Sequence, residues 1–123
     1  MQRVLLENHS ERASKWMADY HVSTVNEVRQ TITDHDIVVV GMAHNPSVKK
    51  ARQSLEKAGL EFHYLEYGNY FSMWRARLAI KLWSGWPTYP QVFVKGQLIG
   101  GANDLGALLE DGTVSEMLAS DSK

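Results

Sequence analysis

The run Trp86-Pro87-Thr88-Tyr89-Pro90-Gln91-Val92-Phe93-Val94 constrains this chain more than any other stretch. Pro90 has no N–H and a fixed φ, so a strand can begin beside it but cannot pass through it. The sequence therefore predicts a turn over residues 87–90 with a cis Tyr89–Pro90 peptide, followed at once by a strand. Such a turn leaves the backbone N–H and C=O of Tyr89 outside the sheet, open to an extended peptide. Lys95-Gly96 reads as a tight hairpin turn into Leu98-Ile99. Gly100-Gly101 then allows close backbone approach. Asn103 or Asp104 is placed to cap a following helix, whose free N–H groups suit an anion.

The rest of the chain supplies neighbours for that hairpin. Asn8 and Glu11 stand at capping-box spacing and open a short helix over about 10–20, with Ala13, Trp16 and Met17 on one face. That face is read as packing on the chain's own domain, the alternative being a partner-binding helix, with Trp16 the residue that decides between them. Thr24 and Glu27 form a second capping box, and Val25, Val28 and Ile32 predict a helix over about 25–33. Ile37-Val38-Val39-Val40 is a β-branched run, the mark of a strand covered on both faces. Asn45 is a good N-cap and Pro46 a good first helical residue. The helix they open runs to about 58, with Ala51, Leu55 and Ala58 inward, and stops at Gly59. Residues 61–67 alternate as a second strand, which makes a right-handed βαβ unit with parallel strands. After a turn at Gly68-Asn69, Phe71, Trp74, Leu78 and Leu82 mark a helix ending near Ser84-Gly85. Leu105, Leu108 and Leu109 mark another, and Val114, Met117 and Leu118 a short last one.

Composition narrows the chemistry. The chain has 123 residues and a formal net charge of −1, so it fits one core and carries no broad attraction to nucleic acid or anionic membrane. No apolar run approaches the roughly 20 residues of a membrane span, and the short apolar stretch near the start lacks a signal-peptide pattern. A cytoplasmic address is the expectation. There is no cysteine, which excludes disulfides, thiolate metal sites and thiol catalysis within the chain. The histidines (His9, His21, His35, His44 and His63) show no pairing at metal-ligand spacing.

The segment from Trp86 to Asp104 resembles the glutathione-binding half of a glutaredoxin, a member of the thioredoxin-fold superfamily. Its Trp-Pro-Thr-Tyr-Pro turn is most similar to the monothiol glutaredoxins. The resemblance covers about residues 24–118 and implies an α/β thioredoxin fold, a four-stranded mixed sheet flanked by helices. On this reading residues 1–22 are an N-terminal helical extension, 23–118 the glutaredoxin-like domain and 119–123 a tail.

The resemblance also says where the chemistry belongs. Family members carry Cys-Pro-Tyr-Cys or Cys-Gly-Phe-Ser at the helix following the first strand, where dipole and free N–H groups favour a thiolate. The aligned stretch here is Asn45-Pro46-Ser47-Val48, so Asn45 and Val48 stand at the cysteine positions. A carboxamide is neither nucleophilic at neutral pH nor redox-active, so thiol catalysis is not expected. The implied glutathione groove comprises Arg77, Thr88, Tyr89, Pro90, Gly101, Asn103 and Asp104. Tyr89 would pair with the cysteinyl backbone, the helix start at Asn103 and Asp104 with the γ-glutamyl carboxylate, and Arg77 with the glycyl carboxylate. A lysine that family members carry before the nucleophile aligns with Met42 and is missing. Trp83 and Trp86 bracket the turn, Trp83 reading as core. Monothiol members also bind an iron–sulfur cluster through their cysteine and glutathione; with no protein thiolate, none is expected here.

These readings imply a non-catalytic module of cell redox homeostasis that binds glutathione weakly, a glutathionylated peptide or protein, or another protein partner, with neither nucleic acid nor membrane among its ligands. The alternative is glutathione-dependent disulfide oxidoreduction or electron transfer with a thiol supplied by a partner. A third class is an unrelated enzyme on the same scaffold using His44 or Ser47, which a carboxylate hydrogen-bonded to His44 would favour.

Overall fold

The computed structural model describes residues 6–120. Residues 1–5 and 121–123, the outer parts of the expected extension and tail, lie outside the described residues. In chain order the elements are α1 (Glu11–Asp19), α2 (Val22–Asp34), β1 (Ile37–Gly41), α3 (Pro46–Lys57), β2 (His63–Glu66) and α4 (Trp74–Ser84). The hairpin β3 (Gln91–Val94) and β4 (Gln97–Gly100) follows, then α5 (Ala102–Glu110) and α6 (Thr113–Ala119).

The strands form one mixed sheet in the order β2-β1-β3-β4. β1 runs parallel to β2, with Val38 opposite His63 and Gly41 opposite Glu66. It runs antiparallel to β3, with Ile37 opposite Val94 and Val40 opposite Gln91. Lys95 and Gly96, both at positive φ, close the β3–β4 hairpin as the sequence predicts. The architecture is the expected thioredoxin fold, and no described helix is long and apolar enough to cross a membrane.

The pleat of β1 explains the two cores. Val38 and Val40 point to one face, where Val28 of α2, Ile80 of α4 and Phe93 join them. Ile37 and Val39 point to the other, against Ala51 and Leu55 of α3, Leu105 of α5 and Val114 of α6. All five residues of β1 are buried, which is why the run reads as continuously apolar.

Several local expectations give way to tertiary packing. Ser10, not Asn8, caps α1 by accepting from the Ala13 N–H at 3.1 Å. α1 buries no residue, so its apolar face does not pack on its own domain, and Trp16 is 61% exposed. α2 starts three residues earlier than predicted, after His21 in the left-handed region, and the Thr24–Glu27 box does not form at its start. Glu27 instead accepts a hydrogen bond from the Tyr67 hydroxyl across 40 residues of sequence. β2 is shorter than the predicted strand, and Ala58 is exposed at the end of α3. On α4 the stripe of Trp74, Leu78 and Leu82 faces outward, while Ala76, Arg77, Ala79 and Ile80 face the sheet. Small residues let α4 lie close against α2, so the larger ones take the far side. Trp83 is 38% exposed, its ring 6.0 Å from that of Phe93, and is only partly core.

Three tyrosines anchor side-chain polarity beneath these layers. Burial pushes the Tyr64 hydroxyl up to about 12, with its 3.0 Å hydrogen bond to Glu66 adding to the shift. Burial and Glu27 raise Tyr67, and burial raises Tyr89 against the opposing pull of Arg77. A raised phenol stabilises the fold while it stays protonated. That contribution is whole below the unfolded-state value near pH ~10 and is lost as pH rises from there through the folded-state values. Melting curves at increasing alkalinity should therefore show the midpoint falling once pH passes about 10, and less steeply in Tyr67→Phe than in the parent.

Candidate functional site

The expected ligand groove is assembled by the start of β3 and the start of α5. The Tyr89–Pro90 peptide is cis. Strand pairing with β1 begins only at Gln91, so the Tyr89 backbone lies outside the ladder as expected. The Tyr89 ring is buried, and its hydroxyl donates to the Arg77 carbonyl at 2.5 Å. Thr88 is exposed on the turn and Pro90 is buried beneath it.

Gly100 and Gly101 bring α5 against that turn. Gly100 has φ +119, and a Cβ there would lie 2.5 Å from Asp104 Oδ2. A Cβ on Gly101 would sit 3.6 Å from the Pro90 carbonyl oxygen and 3.9 Å from Trp86 Cζ2. Trp86 is half-buried here, with its indole Nε1 buried and unpartnered. The cap of α5 is built from Gly101: its N–H donates to Asp104 Oδ2 at 2.9 Å. Asn103 does not cap. It is exposed, and its Oδ1 accepts from Lys50 Nζ of α3 at 2.9 Å. The first three N–H groups of α5 have no partner within the helix.

The electrostatics at this corner are mixed. Lys50 and the positive end of the α5 dipole favour a carboxylate, and Asp104 favours a cation. The pair matches a zwitterionic amino-acid end better than a simple anion. Sequence reasoning missed Lys50. The signal available was its position one helical turn after Pro46, on the exposed side of a helix whose buried side carries Ala51 and Leu55, and it is legible only once α3 and α5 are known to pack together.

One expected ligand residue is used by the fold itself. Arg77 is 8% exposed, and its Nη1 donates to the carbonyls of Tyr67 at 2.8 Å and Ser72 at 2.5 Å. It secures the loop between β2 and α4 rather than presenting an open fork to a carboxylate. Met42, which the resemblance aligns with a family lysine, is buried in the core beside Val40, Val48 and Tyr67. A lysine introduced there would bring its charge into apolar surroundings.

The start of α3, where the resemblance puts the family's nucleophile, is well defined. Asn45 has extended backbone, its Oδ1 accepts from the Val48 N–H at 3.0 Å, and Pro46 opens the helix, as predicted. Val48 is buried against the sheet. On the β2 side of this helix lies a groove of about 670 Å³ lined by His44, Lys49, Arg52, Tyr64 and Glu66, among others. Arg52 stacks over the Tyr64 ring at 4.0 Å. Glu66 is hydrogen-bonded to Tyr64, and among the described residues no carboxylate is hydrogen-bonded to His44, which is exposed with φ +60.

At the opposite end of the sheet the rings of His35 and His63 stack, with centroids 4.4 Å apart. Sequence spacing did not show this pairing, because it arises from the parallel alignment of β1 with β2. Among the described residues no group of three or more histidine, aspartate or glutamate side chains could hold a metal ion.

Comparison with known proteins adds the ancestry of this arrangement. The glutaredoxin family model matches residues 46–99. A glutaredoxin-like protein of Dictyostelium discoideum is 50% identical over 112 residues, covering 91% of each chain. Monothiol glutaredoxin-4 of Schizosaccharomyces pombe is 31% identical over 78% of this chain and 41% of its own length. A buckwheat glutaredoxin–glutathione complex superposes with a TM-score of 0.70 at 19% identity, covering 81% of this chain and 91% of that one. At that identity it shows a shared fold alone.

Two substitutions test the local geometry. Asn45→Ala removes the only side-chain cap of α3 and should cost about 1 kcal/mol in urea unfolding. Gly100→Ala forces a disfavoured φ and displaces Asp104, so it should cost about 1–3 kcal/mol and shift the amide resonance of Gly101.

Proposed function

The chain belongs to the glutaredoxin family, and from that premise we propose that it is a non-catalytic member of cell redox homeostasis that binds glutathione or a glutathionylated peptide. The observation that carries the reading is Asn45. It occupies the helix N-cap where family members place their nucleophile, and it is fully used as a cap. The chain has no cysteine to replace it. What supports binding is the surviving groove: an unpaired Tyr89 backbone beside a cis proline, and the α5 start beside it.

In this reading the ligand lies extended along Thr88, Tyr89 and Pro90, adding backbone hydrogen bonds as an extra strand would. Its γ-glutamyl end reaches Gly101, Asn103 and Asp104. The carboxylate there takes the α5 N–H groups and Lys50, and the ammonium takes Asp104. With Met42 and Arg77 committed to the fold, the glycyl carboxylate has no cation held for it. Affinity is therefore weak, in the millimolar range or about −4 kcal/mol. No cysteine is present to ligate an iron–sulfur cluster, and none is part of this proposal.

Glutathione added to isotope-labelled protein should move the amide signals of Tyr89, Gly101 and Asn103 first. Lys50→Ala should weaken binding several-fold at low salt and much less at high salt. Signals unmoved by either reduced or oxidised glutathione would mean that the groove no longer serves this ligand.

Asn45→Cys should create a thiol whose alkylation rate titrates below the free-cysteine value of about 8.5, because α3 points its free N–H groups at it. It should form a mixed disulfide with oxidised glutathione. A thiol titrating at or above that value, with no adduct by mass, would place the family's catalytic position elsewhere in the chain.

A further inference from the structure

α4 is apolar on two opposite faces. One covers the sheet through Ala76, Ala79 and Ile80. The other consists of Trp74, Leu78 and Leu82 at successive turns, extended by Phe71, which is 96% exposed. A helix apolar all round is ordinarily covered on both sides, and a contiguous patch of this kind marks an interaction surface. Arg75 and Lys81 lie at its margins.

The same chain carries a helix with the complementary need. α1 buries no residue, and Ala13, Trp16 and Met17 share one face. α1 spans about 13 Å and the stripe from Trp74 to Leu82 about 12 Å, at roughly 1.5 Å per residue. We propose that two copies of this chain pair reciprocally, the α1 helix of each lying on the outward stripe of the other's α4.

Three observations favour a second copy over other occupants. The corner between α1 and α2 is built: the Trp16 and Tyr20 rings stack at 4.6 Å, Tyr20 meets His21 edge-on at 4.8 Å, and His21 lies in the left-handed region. That corner holds α1 off its own domain, and covering its own α4 would require undoing it. Pairing α4 with α4 would set Arg75 and Lys81 against their own copies, whereas α1 carries Glu11 and Asp19 against Arg12 and Lys15 and so has no net charge to oppose them. The area also suffices. Trp16, Phe71 and Trp74 alone offer roughly 300–500 Å² per copy at ~150–250 Å² for each fully buried ring. Doubled by symmetry and joined by the leucines and Met17, this approaches the ~1,200–2,000 Å² of a stable interface.

The experiment is sedimentation equilibrium on the full chain and on two variants at exposed positions, Trp16→Glu and Leu82→Glu. The parent should sediment at twice the chain mass, and each variant alone as a monomer with an unchanged circular dichroism spectrum. Mixing the two variants restores one of the two α1–α4 contacts, so the mixture should associate more strongly than either variant alone and more weakly than the parent. A parent that stays monomeric at high micromolar concentration overturns the proposal. So does a Trp16→Glu protein that remains dimeric, or a mixture of folded variants that associates no more than either variant alone.

Discussion

A buried guanidinium sets terms for much of the molecule. Arg77 faces inward from α4, and removing such a charge from water costs several kcal/mol unless polar groups replace the water. Here the replacements are backbone carbonyls of Tyr67 and Ser72. The loop between β2 and α4 is therefore folded around one side chain. The carbonyl of Arg77 in turn accepts from Tyr89, and Tyr67 reaches Glu27 of α2. A single polar line thus joins α2, the end of β2, α4 and the cis-proline turn. Arg77 supports that turn from its inner side, although family resemblance alone assigns it to the ligand side.

This arrangement separates the two halves of the glutaredoxin inheritance. The binding half rests on backbone geometry: a cis proline, two glycines and the start of a helix. Such features persist as long as the fold does. The reactive half rests on one atom type at one position, and Asn45 supplies a cap there instead of a thiol. The cap satisfies an orphan N–H that a cysteine would leave to solvent or ligand.

The sequence was most legible where local chemistry and tertiary demand coincide. The cis turn, the Lys95-Gly96 hairpin, the Asn45 cap with Pro46 and the buried β1 run all follow from backbone requirements of a few residues. It was least legible where a side chain's role depends on which neighbour it meets. Glu27 has the spacing of a cap but is drawn across to Tyr67. The apolar stripe of α4 has the period of a core face, yet the sheet accepts the face with alanines because α4 must also pass close to α2. Periodicity reports that a helix has an apolar side; with two such sides it cannot say which one meets the sheet. At the site, the same limit hid the hydrogen bond of Lys50 to Asn103 and the inward bonding of Arg77 to backbone carbonyls.

The central position of β1 also bears on the order in which the chain acquires structure. β1 meets β2 across only the α3 crossover, and β3 meets β4 across two residues, so each of these pairings closes a short loop. The pairing of Ile37 with Val94 closes one of more than fifty residues. Entropy of closure rises with loop length, and non-local pairings are the slow ones. The βαβ unit and the hairpin are thus two locally assembled halves, and the β1–β3 seam is where they become one cooperative body. Both apolar layers are completed across that seam, which makes the middle of the sheet the natural rate-setting contact of folding.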